Sequence, residues 1–327
     1  MEVVSAARGR WRDQALKLFI AGQPETRADS VAAGDLDDLE LEGLLAAVSG
    51  DRVIGATLFV VQPDRTGHVW PPVLAGDIAS SPSVESAPKC SGRNTPADAP
   101  ALVADALLAD VARRLDAAGA WLGQSVVDVD RLADRAHLER NGFGHLANLV
   151  LMERSLELPL PDRREGSVPA TRAAGYDPGR DDARIAALLG RTYEGTLDCP
   201  GLDRWRSPAE ALASHRLAGE FDPDLWVIHR DSRGNDVGLL LATAHPAESA
   251  REVVYMGVVP EARGRGFGRA MLLDALGAAR SARCAALRLA VDERNAPART
   301  LYDACGFAPI GTRCVHGRPR GGGPFRA

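Results

Sequence analysis

In the second half of the chain the apolar positions fall into runs that switch period at clusters of turn residues. Residues 253–259 are an apolar, β-branched run that stops at Pro260, and an Ala/Leu-rich stretch begins after Gly264, Gly266 and Gly268. This order predicts a strand, a tight glycine loop and a helix. Upstream, residues 181–193 predict a helix. Ser207 followed by Pro208 predicts the capped start of another. Residues 224–229 and 236–244, joined across Asp231-Ser232-Arg233-Gly234-Asn235, predict an antiparallel hairpin.

The first half repeats this plan in outline. Residues 51–62 and 66–74 read as strands, 101–118 as an amphipathic helix and 120–129 as a strand. A helix then ends in His137-Leu138-Glu139-Arg140-Asn141-Gly142-Phe143, and 146–156 is apolar enough for a closing strand. The same ending recurs as Leu301-Tyr302-Asp303-Ala304-Cys305-Gly306-Phe307. Placing Phe143 on Phe307 sets Leu138 against Tyr302. The position of the glycine loop then falls near residues 100–104, where there is no glycine. Residues 76–100 are rich in Ser, Pro and small side chains and predict a mobile surface insertion. Residues 159–174, with Pro159, Pro161 and Pro169, predict a linker. The expected organisation is a domain over 1–158, a linker over 159–174, a domain over 175–316 and a disordered tail over 317–327.

The glycine loop carries the candidate chemistry. Glycines let main-chain N–H groups approach an oxyanion, and a helix N-terminus carries a partial charge of roughly +0.5, so the loop suits a pyrophosphate. A P-loop needs Lys-Ser or Lys-Thr after its last glycine, whereas Gly268 is followed by Arg269-Ala270. The spacing also departs from the dinucleotide fingerprint G-x-G-x-x-G. The pattern Arg263-x-x-Gly266-x-Gly268 resembles the acetyl-CoA loop of the GNAT N-acetyltransferases. The family's second signature is matched by Asn295-Ala296-Pro297-Ala298 followed by Leu301-Tyr302 and Gly306-Phe307.

The resemblance implies an α/β (α+β) fold of two GNAT-like domains, each a mixed, mostly antiparallel twisted sheet flanked by helices. It implies acetyl-CoA as co-substrate, held by Val258, Val259, Arg263, Gly264, Arg265, Gly266, Phe267, Gly268, Arg269, Ala270 and Asn295. Asn295 would contact the pantetheine arm, backbone N–H groups near Val258 and Val259 would meet the oxyanion, and Tyr302 would act as general acid. Read without the family, Asn295 is a helix cap and Tyr302 a core residue. The first half then resembles a domain that has lost its pyrophosphate loop and its acid. A two-half layout with an active second half is also found in family members that acetylate the amine of a thiol-cofactor precursor. A domain that holds acyl-CoA as a sensor or scaffold without turnover is the other reading.

The acceptor implied is an amine of a small molecule or peptide. Many relatives carry a glutamate in the strand before the asparagine, but the matching position here is Ala290. Glu252 and Asp292 are the remaining candidates for the base. Glu194, Asp198 and Asp203, in the turn-rich segment after the helix at 181–193, are candidates for holding a cationic acceptor, although turns also collect aspartates for local hydrogen bonding. A lysine-type amine costs about 4–5 kcal/mol to deprotonate at neutral pH and an α-amine about 1 kcal/mol. Without a base, an α-amine acceptor is therefore expected.

Composition narrows the setting. At 327 residues, 45% apolar and 25% charged, the chain is ordinary globular usage for two cores. A net charge of −5 gives no electrostatic case for nucleic acid. No apolar run approaches 18 residues, so no membrane span is expected. The N-terminal segment carries charges where a secretory leader would be apolar. Five scattered cysteines without C-x-x-C support neither a disulfide framework nor zinc, which makes the reducing cytoplasm the expected location.

Overall fold

The computed structural model describes residues 1–23, 41–78, 99–162, 169, 171–200 and 206–323. The chain divides into two compact units. Among the described residues the first contains Met1–Leu146 and Cys314–Gly323, and the second contains Ala147–Arg313.

In the first unit, β1 (Glu2–Ser5), β2 (Leu44–Ser49), β3 (Arg52–Val61) and β4 (Thr66–Val69) form successive antiparallel pairs. β4 then runs parallel to β6 (Leu122–Asp128), and the short β5 (Val73–Leu74) pairs with β3. Among the described residues the longer helices of this unit are α1 (Arg12–Ala21), α2 (Ala99–Ala117) and α3 (Leu132–Arg140). The parallel pair needs a crossover, and α2 supplies it. Its apolar stripe of Val103, Leu107, Leu108, Val111 and Leu115 packs into the core with Phe143 and Leu138.

The second unit repeats the plan. α4 (Asp182–Tyr193) and α5 (Pro208–Arg216) precede β9 (Trp226–Arg230), β10 (Asp236–His245) and β11 (Ala250–Val258), which pair antiparallel. α6 (Phe267–Ser281) crosses over to β12 (Ala286–Asp292), which runs parallel to β11. α7 (Ala296–Ala304) and β13 (Ala308–Pro319) follow. The edge strand β8 (Arg172–Gly175) pairs with β9. The core is continuous from Leu188 and Leu189 of α4 through Leu239 and Leu241 of β10 to Met271, Leu272 and Leu276 of α6. Local signals set the helix starts. Ser207 and Glu210 form a reciprocal capping box with Pro208 at the first turn, as the sequence predicts.

Several expectations are corrected. β7 (Gly144–Ser155) closes the first half in sequence, yet Leu149–Ser155 pair with Asp292–Ala286 of β12 inside the second unit. The first unit takes Cys314–Gly323 in return. Apolar alternation identifies a strand but not its partner, so the expected boundaries at 158 and 316 do not coincide with the compact units. The tail expected to be disordered from Gly317 begins inside β13. There, Arg318 donates to both carboxylate oxygens of Asp116 at 2.9 and 2.8 Å, and the Gly321 N–H donates to the same group. β8 starts within the expected linker, while residues 163–168 and 170 lie outside the described residues. Most of the expected insertion, residues 79–98, also lies outside them, as do residues 324–327. Among the described residues no helix is long and apolar enough to cross a membrane, and no group of three or more His, Cys, Asp or Glu is placed to hold a metal.

Candidate active site

The site begins with a defect in the second unit's sheet. β11 and β12 pair only from Ala250↔Ala286 to Val253↔Leu289. At the same place the register between β10 and β11 shifts, because Leu241 faces Tyr255 while Ala242 faces Val253. Val254 is therefore an extra residue on β11, a bulge that bends the strand. Beyond it the two parallel strands separate, and a cavity of about 220 Å³ opens between them. Val253–Val258 and Leu289–Val291 form its walls.

Strand alternation decides which backbone groups face the opening. The Val259 N–H donates to the Val237 carbonyl at 3.0 Å, so Val259 is turned toward β10 and its side chain is buried. It is not an oxyanion donor, contrary to expectation. Alternate residues point the other way, so Met256 and Val258 turn their main-chain groups toward the side that β12 has left. The Val258 carbonyl confirms the direction by accepting from Arg263 Nε at 3.0 Å.

The glycine loop leads into α6. Gly264 (φ 71°) and Gly266 (φ 83°) are left-handed, conformations that favour glycine, and no side chain caps the helix N-terminus. A Cβ on Gly268 would lie 3.3 Å from Leu301 Cδ2, so that glycine lets α6 approach α7. The first unsatisfied donors of such a helix are the N–H groups of Gly266, Phe267, Gly268 and Arg269. That of Ala270 is bonded to the Gly266 carbonyl and its side chain is fully buried, which removes Ala270 from the expected set. Phe267 is likewise buried, so only its backbone faces outward.

The three arginines of the loop have different tasks. Arg263 gives its guanidinium to three backbone carbonyls, those of Val258 (3.0 Å), Gly195 (3.2 Å) and Thr192 (2.9 Å). It clamps the C-terminal end of α4 to the end of β11. Arg269 directs its guanidinium to Cys305 Sγ at 3.6 Å and the Asp162 carbonyl at 3.4 Å. Arg265 is exposed, with its guanidinium 5.2 Å from the Phe267 ring centroid.

On the opposite wall stand Asn295 and Tyr302. Asn295 is the N-cap of α7, and its side-chain oxygen accepts the Ala298 N–H at 3.3 Å. One residue thus caps the helix and lines the cavity. Tyr302 is 7% exposed and packs against Phe307 with ring centroids 5.9 Å apart. Burial pushes its hydroxyl pKa upward, and the negative charge of Asp198 adds to the shift. It is a side chain that holds its proton until a strong base needs it.

The third wall is the segment after α4, fastened by reciprocal bonds to β12. The Cys199 N–H donates to Asp292 Oδ2 at 3.0 Å, and the Asp292 N–H donates to Asp198 Oδ1 at 2.7 Å. Asp292 is fully buried and also ion-pairs with Arg294. Burial alone would raise its pKa, but the bonds from Arg294 and Cys199 outweigh that and hold it below the usual carboxylate range. With its oxygens accepting from Cys199 and Arg294, Asp292 fastens the loop. Asp198 sits at the mouth of the cavity. It keeps contact with solvent while Oδ1 is turned in against β12, and burial of the carboxyl raises its pKa.

The other carboxylate candidates are not brought in. Glu252 lies at the start of β11 with Oε2 3.2 Å from His245 Nε2, and Glu194 is exposed at the end of α4. Neither lines the cavity. Asp203 lies outside the described residues. Ala290 does line the cavity, with no acid at its position. Sequence reasoning missed Tyr255, which also lines it and whose hydroxyl lies 2.7 Å from Thr192 Oγ1. Nothing in a β-branched run marks one tyrosine as facing a cavity when the bulge that turns it is invisible.

Comparison with known proteins identifies the family. The family described as Acetyltransferase (GNAT) matches residues 191–307. The mycothiol acetyltransferase of Beutenbergia cavernae is 32% identical over 238 residues, which span 65% of this chain and 76% of that relative. That of Saccharomonospora viridis is 29% identical over 217 residues, spanning 63% and 66%. The solved GCN5-related N-acetyltransferase from Sphaerobacter thermophilus superimposes with a TM-score of 0.58 over 94% of this chain and 90% of its own, at 17% identity, a likeness of fold. The chain belongs to the GNAT family of N-acetyltransferases.

Proposed function

We propose that the second unit is the active half of an acetyl-CoA-dependent N-acetyltransferase that transfers acetyl directly to an amine of a small molecule or peptide. Members of the family generally use acetyl-CoA as acyl donor. The observation that carries the reading is the cavity opened by the Val254 bulge, with Tyr302 on its wall, together with the uncapped start of α6, where a Cβ built on Gly268 would lie 3.9 Å from Val258 Cγ2 of the cavity wall. These residues fit the donor. Uncapped N–H groups of Gly266, Phe267, Gly268 and Arg269 suit a pyrophosphate, and exposed Arg265 adds a cation beside them. Asn295 offers its amide to an arm lying in the cavity.

The amine attacks the thioester carbonyl, a C–N bond forms and the C–S bond breaks. The main-chain N–H groups of Met256 and Val258 are turned to the side where the oxyanion develops. Tyr302, still protonated because its pKa is raised, gives its proton to the departing thiolate. The first unit also has a parallel pair, β4 and β6, matched from Thr66↔Leu122 to His68↔Gln124, but it offers Leu138 where the second offers Tyr302. We assign it no turnover.

Tyr302→Phe is the test. Thiol release should fall by about 10²–10⁴-fold with acetyl-CoA affinity unchanged. Activity equal to wild type removes Tyr302 from the chemistry, and parallel loss of donor binding makes it a packing residue. The named relatives supply a second acceptor reading, an amine of a mycothiol precursor, which belongs in the same panel of amines, amino acids and peptides. A wild-type protein that binds acetyl-CoA but releases no thiol with any acceptor would instead be a sensor.

A further inference from the structure

We infer that Asp198 is the general base of this site, accepting the proton of the acceptor amine and filling the role that Ala290 leaves vacant. This rests on the acetyl-transfer reading above. Asp198 is the one carboxylate among the described residues that line the cavity, and no histidine or lysine lines it. The remaining ionisable side chains there are unsuited to accepting a proton near neutrality. Arg263 is committed to three carbonyls, and Tyr255 and Tyr302 are both held protonated by burial.

The position of Asp198 is fixed rather than incidental. Its Oδ1 accepts the Asp292 N–H at 2.7 Å, its own N–H donates to Thr196 Oγ1 at 3.1 Å, and Cys199 beside it is held left-handed (φ 44°) by the bond to Asp292. Arg263 closes the other end of the segment at Gly195. A carboxylate so anchored loses little freedom when an amine docks. Because it stays in contact with solvent, it can pass the proton on to water between turnovers.

The groups around it set its basicity. Burial, and after it the charge of Asp292, push its pKa up, while the bond from the Asp292 N–H and the charge of Arg294 pull it down, with a net rise. Cys199 next to it has its thiol pushed up to about 12 and stays uncharged. A raised carboxyl is a better base at neutral pH than an ordinary aspartate. The proton balance closes: an acceptor that arrives as an ammonium first loses one proton through Asp198 to water, the neutral amine then gives Asp198 one proton as the C–N bond forms, Tyr302 gives one to the thiolate as the C–S bond breaks, and solvent exchange resets both groups.

The base changes the acceptor expected from the sequence, because it removes most of the disadvantage of an ε-amine. The experiment compares wild type, Asp198→Asn and Asp198→Glu with matched α-amine and ε-amine acceptors, measuring kcat/KM from pH 6.5 to 9.5 and acetyl-CoA affinity separately. Asparagine can still accept the Asp292 N–H, so the loop is retained. Asp198→Asn should lower kcat/KM for the ε-amine at pH 7 by about 10²–10⁴-fold, and the α-amine less. The deficit should shrink as pH rises toward the pKa of the amine, with donor affinity within threefold of wild type and partial rescue by Asp198→Glu. A loss of less than threefold overturns the inference. So does a loss equal for both amines at every pH and confined to acceptor KM, which describes an anchor. Wild-type protein inert toward every amine overturns the acetyl-transfer reading itself, and this one with it.

Discussion

Replacing Arg263 separates two roles that its place in the motif confuses. As a pyrophosphate ligand it would contribute a positive charge, and Arg263→Ala would weaken acetyl-CoA binding. The structure instead spends all three directions of the guanidinium on the carbonyls of Val258, Gly195 and Thr192. Hydrogen bonds to a charged group contribute about 1.5–3 kcal/mol each when shielded. Arg263 is exposed, so water replaces part of what is lost, and a net cost of about 2 kcal/mol is the appropriate scale. For a domain of this size each kcal/mol lowers Tm by about 2–4 °C, so the unfolding transition should fall by roughly 4–8 °C.

The functional consequence follows from what the clamp holds. Gly195 starts the segment that carries Asp198, so loosening it should lower kcat/KM for the acceptor while acetyl-CoA affinity and its salt dependence change less than threefold. Calorimetric titration at two ionic strengths beside a thermal melt measures all of this. Lysine has one ammonium and cannot span three carbonyls in a planar fork, so Arg263→Lys should behave nearly like Arg263→Ala. If acetyl-CoA binding weakens more than tenfold in the alanine variant, recovers in the lysine variant and leaves Tm unchanged, the clamp argument is wrong and the charge was the point.

Arg265→Ala should do what Arg263→Ala does not: weaken acetyl-CoA binding several-fold with a shallower salt dependence and an unchanged Tm, because its guanidinium is exposed beside the Phe267 ring. Equal affinity in that variant would assign the pyrophosphate to backbone donors alone. His215, whose pKa burial and Arg206 push down to about 3, binds a proton in the unfolded chain before it does in the folded one. Stability should therefore fall as pH drops from about 6.5 toward 3, and His215→Gln should flatten that slope by about one proton, ~1.4 kcal/mol per pH unit. An unchanged slope in urea unfolding at pH 6, 5 and 4 would show that His215 is not the group.

Much of the fold was legible because its signals are local. The β-branched run before Pro260, the glycines before α6 and the Ser207-Pro208 start each act within one turn of chain, and each element stands within a few residues of its expected place. What pattern could not supply was partnership. Residues 149–155 read as the last strand of the first half because they follow it, yet their hydrogen bonds go to β12, more than 130 residues away. Apolar alternation gives a strand two faces and says nothing about its edges.

The same limit governs the site. Asn295 and Tyr302 could be placed because helix α7 fixes their spacing, so the motif and the geometry are the same fact. The carbonyls that Arg263 holds could not be read from the motif, because its partners at 192 and 195 are set by how α4 meets β11, and a motif letter carries no partner. Asp198 and Asp292 show the effect most clearly. In sequence they are two acids, one in a turn and one before a helix, with nothing to rank them. Folding joins them through one pair of reciprocal bonds, and the pair divides their roles. The carboxylate that receives Arg294 and the Cys199 N–H is pulled below the usual range and committed to structure, whereas the one that receives a single main-chain N–H and borders the cavity is raised. Which acid can do chemistry is therefore decided by burial set against the donors each is given, a balance that exists only after β11 has bent at Val254 and the segment after α4 has been pinned across the gap.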